Sequence, residues 1–157
     1  MRVIGLTGSI GMGKSTASSM IKGFGIPVHD SDQAVHKALA VDGPALRAIR
    51  QRFPEAYQRG FVDRKALGKI VFNDDAAITD LECILHPIVK HDRLRFLKRC
   101  RSQQISLAVI DVPLLFETGI HQECYQTIVM SAPSSVQARR VLSRSGMTVE
   151  KFQAVKS

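Results

Sequence analysis

Residues 5–16 read Gly-Leu-Thr-Gly-Ser-Ile-Gly-Met-Gly-Lys-Ser-Thr, and Gly8, Gly13, Lys14 and Ser15 within them complete the spacing Gly-x-x-x-x-Gly-Lys-Ser. No other stretch of the chain constrains its fold as tightly. Arg2-Val3-Ile4-Gly5-Leu6 precedes it, a short apolar run of strand type. Ala17, Met20, Ile21 and Phe24 follow at i, i+3, i+4 and i+7, the spacing of one helix face. Strand, glycine loop and helix in that order is the setting in which this spacing binds phosphate.

Each position of the loop has a physical task. Gly8, Gly11 and Gly13 admit backbone conformations closed to other residues and let a phosphate approach the main chain. The loop N–H groups, those of Gly11, Met12 and Gly13 included, then converge on the anion. The helix opening near Lys14 adds unpaired N–H donors and the positive end of its dipole. Lys14 is expected to reach the β- and γ-phosphates, Ser15 to ligate Mg²⁺, and Thr16 to bond a phosphate nearer the ribose. A glycine-rich turn that merely joined strand to helix would have no need of the Gly-Lys-Ser ending. The motif therefore implies a nucleoside triphosphate and leaves the acceptor of its phosphoryl group open.

At 157 residues with 45% hydrophobic content, the chain has the material for one compact domain with a helical insertion. It starts on a strand, without a charged-then-apolar leader, and contains no apolar run long enough to span a bilayer. A soluble cytoplasmic protein is the expectation. The three cysteines, Cys83, Cys100 and Cys124, lack metal-site spacing and read as reduced thiols on helices. The net charge of +8 concentrates in Arg95, Lys98, Arg99 and Arg101 and again in Arg139, Arg140 and Arg144. Nucleic acid is one partner for such a surface. With two Tyr and no Trp, however, no aromatic platform interleaves the basic residues. A small ligand carrying several phosphates is the better match.

Along the chain, Gly25-Ile26-Pro27 ends the first helix, and a second strand over 27–29 stops at Asp30-Ser31-Asp32. Helices are expected over 33–40, after Asp42-Gly43-Pro44 with Leu46, Ile49 and Phe53 on one face, and after a capping Asp63 with Leu67, Ile70 and Val71. A long helical pattern over 76–101 is expected to kink or break at Pro87. Strands over 106–110 and 127–131 and a helix over 135–144 complete the series. Buried strands alternating with helices imply a parallel sheet. The roughly seventy residues between the second and third strands exceed what a simple crossover needs. They read as a helical subdomain at the carboxyl ends of the strands, where open α/β sheets bind ligands. The fold class is thus α/β, a Rossmann-like three-layer P-loop kinase. Residues 1–32 and 104–157 form its nucleotide-binding core, 33–103 its helical insertion, and about 134–148 a short helical lid.

Four further groups invite a function beside a plainer reading. Asp111 ends the apolar run Leu107-Ala108-Val109-Ile110 and either holds Mg²⁺ or caps the next turn. Asp30 and Asp32 either serve a hydroxyl acceptor or cap the next helix, and two carboxylates are more than a cap requires. Gln137, Arg140 and Arg144 share one helix face and form either a phosphate-clamping lid or a solvated basic stripe. His86 before Pro87 either contacts substrate or packs at a kink. The run Val112-Pro113-Leu114-Leu115-Phe116-Glu117 is too apolar for an ordinary loop and either fills the core or walls a pocket.

Together these pieces resemble the dephospho-coenzyme A kinase family. The resemblance rests on the glycine loop, Asp30-Ser31-Asp32, Asp63-Arg64 with Leu67-Gly68 and Val71-Phe72, Leu85-His86-Pro87-Ile88, the Val112–Glu117 run, and Gln137 with Arg140 and Arg144. The pieces stand in family order across nearly the whole chain. The glycine loop is shared with many kinases, whereas Leu-His-Pro together with Val-Pro-Leu-Leu-Phe-Glu is far more specific. The resemblance implies ATP-dependent phosphorylation of the ribose 3′-hydroxyl of dephospho-coenzyme A, the last step of coenzyme A synthesis, with Mg²⁺. It makes Asp32 the carboxylate near that hydroxyl. It sets His86, Pro113, Leu114 and Leu115 beside the substrate, and Arg140 and Arg144 over ATP. Lys14 and Arg140 are then the cations that stabilise the moving phosphoryl group.

The chain departs from the family at Ser9, where a glycine is usual, and at Met12, where a small polar residue is usual. Neither side chain is essential to a loop that works through its backbone. Family members also continue with a helix, a fifth strand and a closing helix, whereas this sequence stops at Val155-Lys156-Ser157. It reads as truncated at its C-terminus, with the fourth strand expected as an edge, lowered stability, self-association and weaker ATP binding. The alternative function is another small-molecule or nucleoside-monophosphate kinase. A nucleotide switch would carry an Asn-Lys-x-Asp base-reading motif, which the sequence lacks.

Overall fold

Four short apolar strands join into one parallel sheet. They are β1 (Arg2–Thr7), β2 (Val28–Asp30), β5 (Leu107–Asp111) and β6 (Gln126–Val129), in the spatial order β2-β5-β1-β6. This computed structural model describes every residue except 73, 145, 146, 150, 151 and 154–157. The chain end at Val155–Ser157 and residues 145 and 146 of the expected lid thus lie outside the described residues.

Helices α1 (Lys14–Gly23) and α6 (Ser134–Leu142) belong with the sheet. A separate helical body comprises α2 (Ser31–Ala38), α3 (Leu46–Arg52), α4 (Arg64–Val71) and most of α5 (Asp75–Ser102). By its internal contacts the chain divides into Met1–Asp30 with Arg99–Ser157, and Ser31–Lys98.

The central strands β1 and β5 are hydrophobic because they are largely buried within the sheet. Leu6 is fully buried, and Ala108, Val109 and Ile110 nearly so. Their parallel register has a chemical consequence. Leu6 pairs with Asp111 and Asp30 with Asp111, so the carboxyl ends of β1, β2 and β5 finish at one edge. Among the described residues β6 pairs with β1 alone and lies at the margin of the sheet, with Ile128 and Val129 exposed.

The helical body has its own core, built on Ala38, Ala45, Ile49, Phe53, Val62, Leu67, Ala77 and Leu85. The predicted face of α3 is the buried one: Ile49 and Phe53 are sealed, and Leu46 packs beside them. Asp63 caps α4, its carboxylate accepting from the N–H groups of Lys65 and Ala66 at 2.9 and 3.1 Å. A two-stranded hairpin, β3 (Tyr57–Gln58) with β4 (Phe61–Val62), was not anticipated. Strands of two residues leave no periodicity to read, and Arg59-Gly60 at positive φ is its only local mark.

One expectation is narrowed. Of the kink or break expected at Pro87, there is no break: α5 runs from Asp75 to Ser102 with the proline inside it. Proline removes one hydrogen bond, to the carbonyl of Cys83. Cys83 and Pro87 are both exposed, so water can take that carbonyl, while burial of Leu85, Phe96 and Leu97 holds the helix in place. The apolar stripe of α1 is not its buried face. Met20 and Phe24 are 60% and 77% exposed, and the one buried α1 residue is Ser18. Lys14, one turn before Ser18, instead reaches Asp111 at the end of β5.

Candidate active site

The site grows from the carboxyl end of β1. Thr7 ends the strand buried, and its hydroxyl donates to the Pro113 carbonyl at 2.8 Å. The chain then turns through Gly8, where an added Cβ would lie 2.8 Å from the Met130 carbonyl oxygen. At Gly11 the backbone takes φ +76°, and a Cβ would come within 2.6 Å of Val141 Cγ2. Both glycines are therefore demanded by close packing as well as by the turn. Gly13 caps α1 in the left-handed conformation, and Lys14 opens the helix with Ser15 and Thr16 exposed in its first turn. No acidic side chain occupies that turn, so the positive end of the helix is left for an anion.

Lys14 Nζ lies 2.6 Å from Asp111 Oδ1. The carboxylate is only 3% exposed. Burial pushes its pKa above the ordinary value of 3.8; the Lys14 ammonium and the Ser18 hydroxyl oppose that rise, and Asp30 at the end of β2 adds to it. The parallel sheet has thus placed two carboxylates side by side and set the lysine against the buried one. Ser18 was missed by sequence reasoning, although its position four residues after Lys14 puts it on the same face.

Helix α6 is docked on the glycine loop. Gln137, 2% exposed, donates its amide to the Ile10 carbonyl at 2.9 Å. Arg140 Nη1 approaches the Gly11 carbonyl at 3.4 Å, and the Ala132 N–H meets the Met12 sulfur at 3.1 Å. The face carrying Gln137 and Arg140 is therefore neither wholly lid nor wholly solvated. Its first residue is a buried strut, Arg140 sits exposed at the loop, and Arg144 lies exposed beyond the end of the helix. Sequence spacing grouped these residues but gave no sign that the glutamine would be buried.

The apolar run after β5 divides between core and surface. Val112 and Leu115 are buried, and Leu115 lies so close to β1 that a Cβ on Gly5 would meet it at 2.7 Å. Leu114 and Phe116 are exposed, and Pro113 is half-buried. Of the remaining candidates, Asp32 is exposed in the first turn of α2, and His86 is exposed in mid-α5. Both belong to the helical body, which is described by itself. Among the described residues no group of three or more His, Cys, Asp or Glu side chains is arranged to hold a metal alone. None of the described helices is long and apolar enough to cross a membrane.

Comparison with known proteins extends this description. The profile of the CoaE family, described as dephospho-CoA kinase, matches residues 2–157. The dephospho-CoA kinase of Paramagnetospirillum magneticum is 49% identical over 155 residues, covering 99% of this chain and 73% of the relative. That of Mesorhizobium japonicum is 48% identical over 155 residues, covering 99% of this chain and 78% of the relative. Among solved structures, TT1252 from Thermus thermophilus superposes with a TM-score of 0.86 at 34% identity, covering 99% of this chain and 78% of that one. The dephospho-CoA kinase from Campylobacter jejuni gives a TM-score of 0.70 at 25% identity, over 98% of this chain and 78% of the other.

Proposed function

Because this chain belongs to the dephospho-CoA kinase family, we propose how its residues divide the work of moving the ATP γ-phosphoryl group to the ribose 3′-hydroxyl of dephospho-coenzyme A. That transfer is the last step of coenzyme A synthesis. The observation that carries the assignment is the Lys14–Asp111 pair at 2.6 Å, seated at the mouth of the glycine loop.

In the folded chain Lys14 leans on the buried Asp111 carboxylate. A triphosphate in the loop offers the ammonium more negative charge, and the backbone N–H groups from Gly8 to Thr16 surround it. Lys14 then turns to the β- and γ-phosphates, and Asp111 becomes available to a cation. Ser15 and Asp111 are the residues that would hold Mg²⁺. Their chemistry fits the ion, which takes few carboxylates and completes its shell with phosphate oxygens and water rather than an all-protein cage. When bound, Mg²⁺ supplies charge neutralisation between the phosphates. Thr16 bonds a phosphate nearer the ribose.

Asp32 accepts the proton of the ribose 3′-hydroxyl as its oxygen attacks the γ-phosphorus and the bond to the β-phosphate oxygen breaks. Lys14 and Arg140 stabilise the charge on the moving phosphoryl group, with Arg144 closing over ATP. Pro113 and the exposed Leu114 serve the acceptor, as does His86 of the helical body. The basic side chains thus answer to the phosphates of small substrates rather than to nucleic acid.

The test is an acceptor panel with ATP and Mg²⁺: dephospho-coenzyme A, nucleoside monophosphates and shikimate. Coenzyme A and ADP are expected in equal amounts from the first alone. Phosphorylation of a monophosphate or shikimate, with none of dephospho-coenzyme A, would overturn the assignment.

A further inference from the structure

Ser18 is the one buried residue of α1, at 4% exposure. Among the described residues its hydroxyl oxygen has no hydrogen-bond partner. A serine inside a helix can return its hydroxyl to the carbonyl one turn back. Here that carbonyl belongs to Lys14, and the bond is not made. Alanine would fill the same place, favour the helix and bury nothing polar. A buried hydroxyl left without a partner is a local cost, and rules broken in this way gather at functional sites.

The hydroxyl stands beside Asp111, near enough to favour the charged carboxyl, though outside hydrogen-bond geometry. Lys14, one turn before Ser18, holds Oδ1 of that carboxylate at 2.6 Å. Asp30, opposite Asp111 in the register of β2 and β5, adds a second negative charge. The carboxylate is 3% exposed, so water does not readily replace a donor that leaves it. A carboxylate this buried stays ionised only while its oxygens are satisfied.

Nucleotide binding takes one of those donors away, because a triphosphate draws the Lys14 ammonium to its own oxygens. We propose that Ser18 is a positioning residue, whose hydroxyl closes on Asp111 as Lys14 turns to the nucleotide and so keeps the carboxylate at the mouth of the glycine loop. One oxygen is then held by the hydroxyl, and the other serves the cation. A hydroxyl rotates to suit its acceptor, so the exchange needs no movement of α1. The bond formed is charge-assisted and stronger than one between neutral groups. Ser18 touches neither nucleotide nor acceptor and acts through Asp111. The inference rests on the metal role proposed for Asp111 above. Carboxylates that ligate a metal are themselves hydrogen-bonded, and losing such a bond weakens the metal.

The experiment uses Mn²⁺ as the probe, bound to the chain saturated with a non-hydrolysable ATP analogue and followed by electron paramagnetic resonance. No acceptor is present, so the result does not depend on which hydroxyl receives the phosphoryl group. The parent is compared with Ser18→Ala, Asp111→Asn and the double variant. Ser18→Ala should weaken Mn²⁺ binding about tenfold, and Asp111→Asn at least as far. In the Asp111→Asn background the serine change should add no more than about twofold, since its effect runs through the carboxylate. Ser18→Cys, of similar size with a weaker donor, should fall between serine and alanine. Thermal melting without nucleotide and with a chelator should place Ser18→Ala at or above the parent, because the partnerless buried hydroxyl is gone. A lower melting temperature with unaltered Mn²⁺ binding would make Ser18 a packing residue and overturn the proposal. So would an equal loss of Mn²⁺ affinity with and without the Asp111 carboxylate. An Asp111→Asn chain that bound Mn²⁺ as the parent does would refute the metal role of Asp111 and this role with it, whereas an inert Ser18→Ala alone leaves the metal role standing.

Discussion

Gln137 donates its side-chain amide to the main-chain carbonyl of Ile10 at 2.9 Å, from a position in α6 that is almost fully buried. A trans peptide carries its C=O and N–H on opposite sides. The bond therefore turns the Gly11 N–H away from α6. Arg140, reaching the next carbonyl at 3.4 Å, acts on the following peptide in the same sense. The helix thereby helps to set the direction of the loop's donors before any nucleotide arrives, which is the preorganisation an anion site needs.

Replacing Gln137 by Leu keeps the volume and removes the bond, leaving the Ile10 carbonyl without that partner. The expected result is a KM for ATP raised about tenfold and a loss of about 1–3 kcal/mol in stability. Steady-state kinetics and urea denaturation measure the two. Unchanged ATP affinity in a destabilised variant would reduce Gln137 to a packing residue.

Lys14→Ala should lower turnover by several orders of magnitude, since the loop then loses the ammonium that reaches the transferred phosphate. Asp32→Asn should lower kcat strongly and leave ATP binding close to the parent value, because the amide preserves shape and cannot take the hydroxyl proton. Nucleotide binding followed by fluorescence, alongside turnover, separates the two effects. A fully active Asp32→Asn chain would remove that carboxylate from the chemistry.

The Asp111 carboxyl titrates above its ordinary value of 3.8, chiefly because it is buried. In the window just above 3.8 the folded chain then holds a proton that the unfolded chain has released. Stability from this group is present at the acid side and is lost as pH rises through the raised pKa. Measured by urea denaturation with a chelator present, the parent should lose stability relative to Asp111→Asn as pH rises through that window, and then level off. A parent that gains on the variant across it would contradict the burial argument.

Of the cysteines, Cys83 is exposed on α5, whereas Cys100 is 2% exposed and burial raises its thiol pKa against the pull of Arg99. Only the thiolate reacts readily. Iodoacetamide on the native chain should label Cys83 within minutes and spare Cys100 until denaturant is added. Mass spectrometry of timed digests reads this directly. Equal labelling of the two would mean that α5 opens far more readily than its burial suggests.

Much of this molecule was legible from local sequence. The glycine loop declares itself because backbone freedom and a terminal Lys-Ser are written in adjacent residues, and β1 and α1 flank it within a few positions. Asp63 could be read as a cap because its partners are two and three residues away. Asp111 could be named a candidate because it ends an apolar strand. What sequence could not supply was anything that depends on distant segments meeting. That Lys14 rests on Asp111 follows from parallel pairing across 97 residues. That Gln137 is a strut for the loop follows from a contact across 127. Spacing put Met20 and Phe24 on one helix face without showing that they stay exposed, and the proline alone did not show that α5 runs on unbroken. Neighbouring residues were enough to define the phosphate loop and the order of elements around it, because those depend on local contacts. The tertiary structure alone decided which side chains hold the loop and which carboxylate is buried beside its lysine, because each of these is an energy of contact between residues the chain keeps far apart.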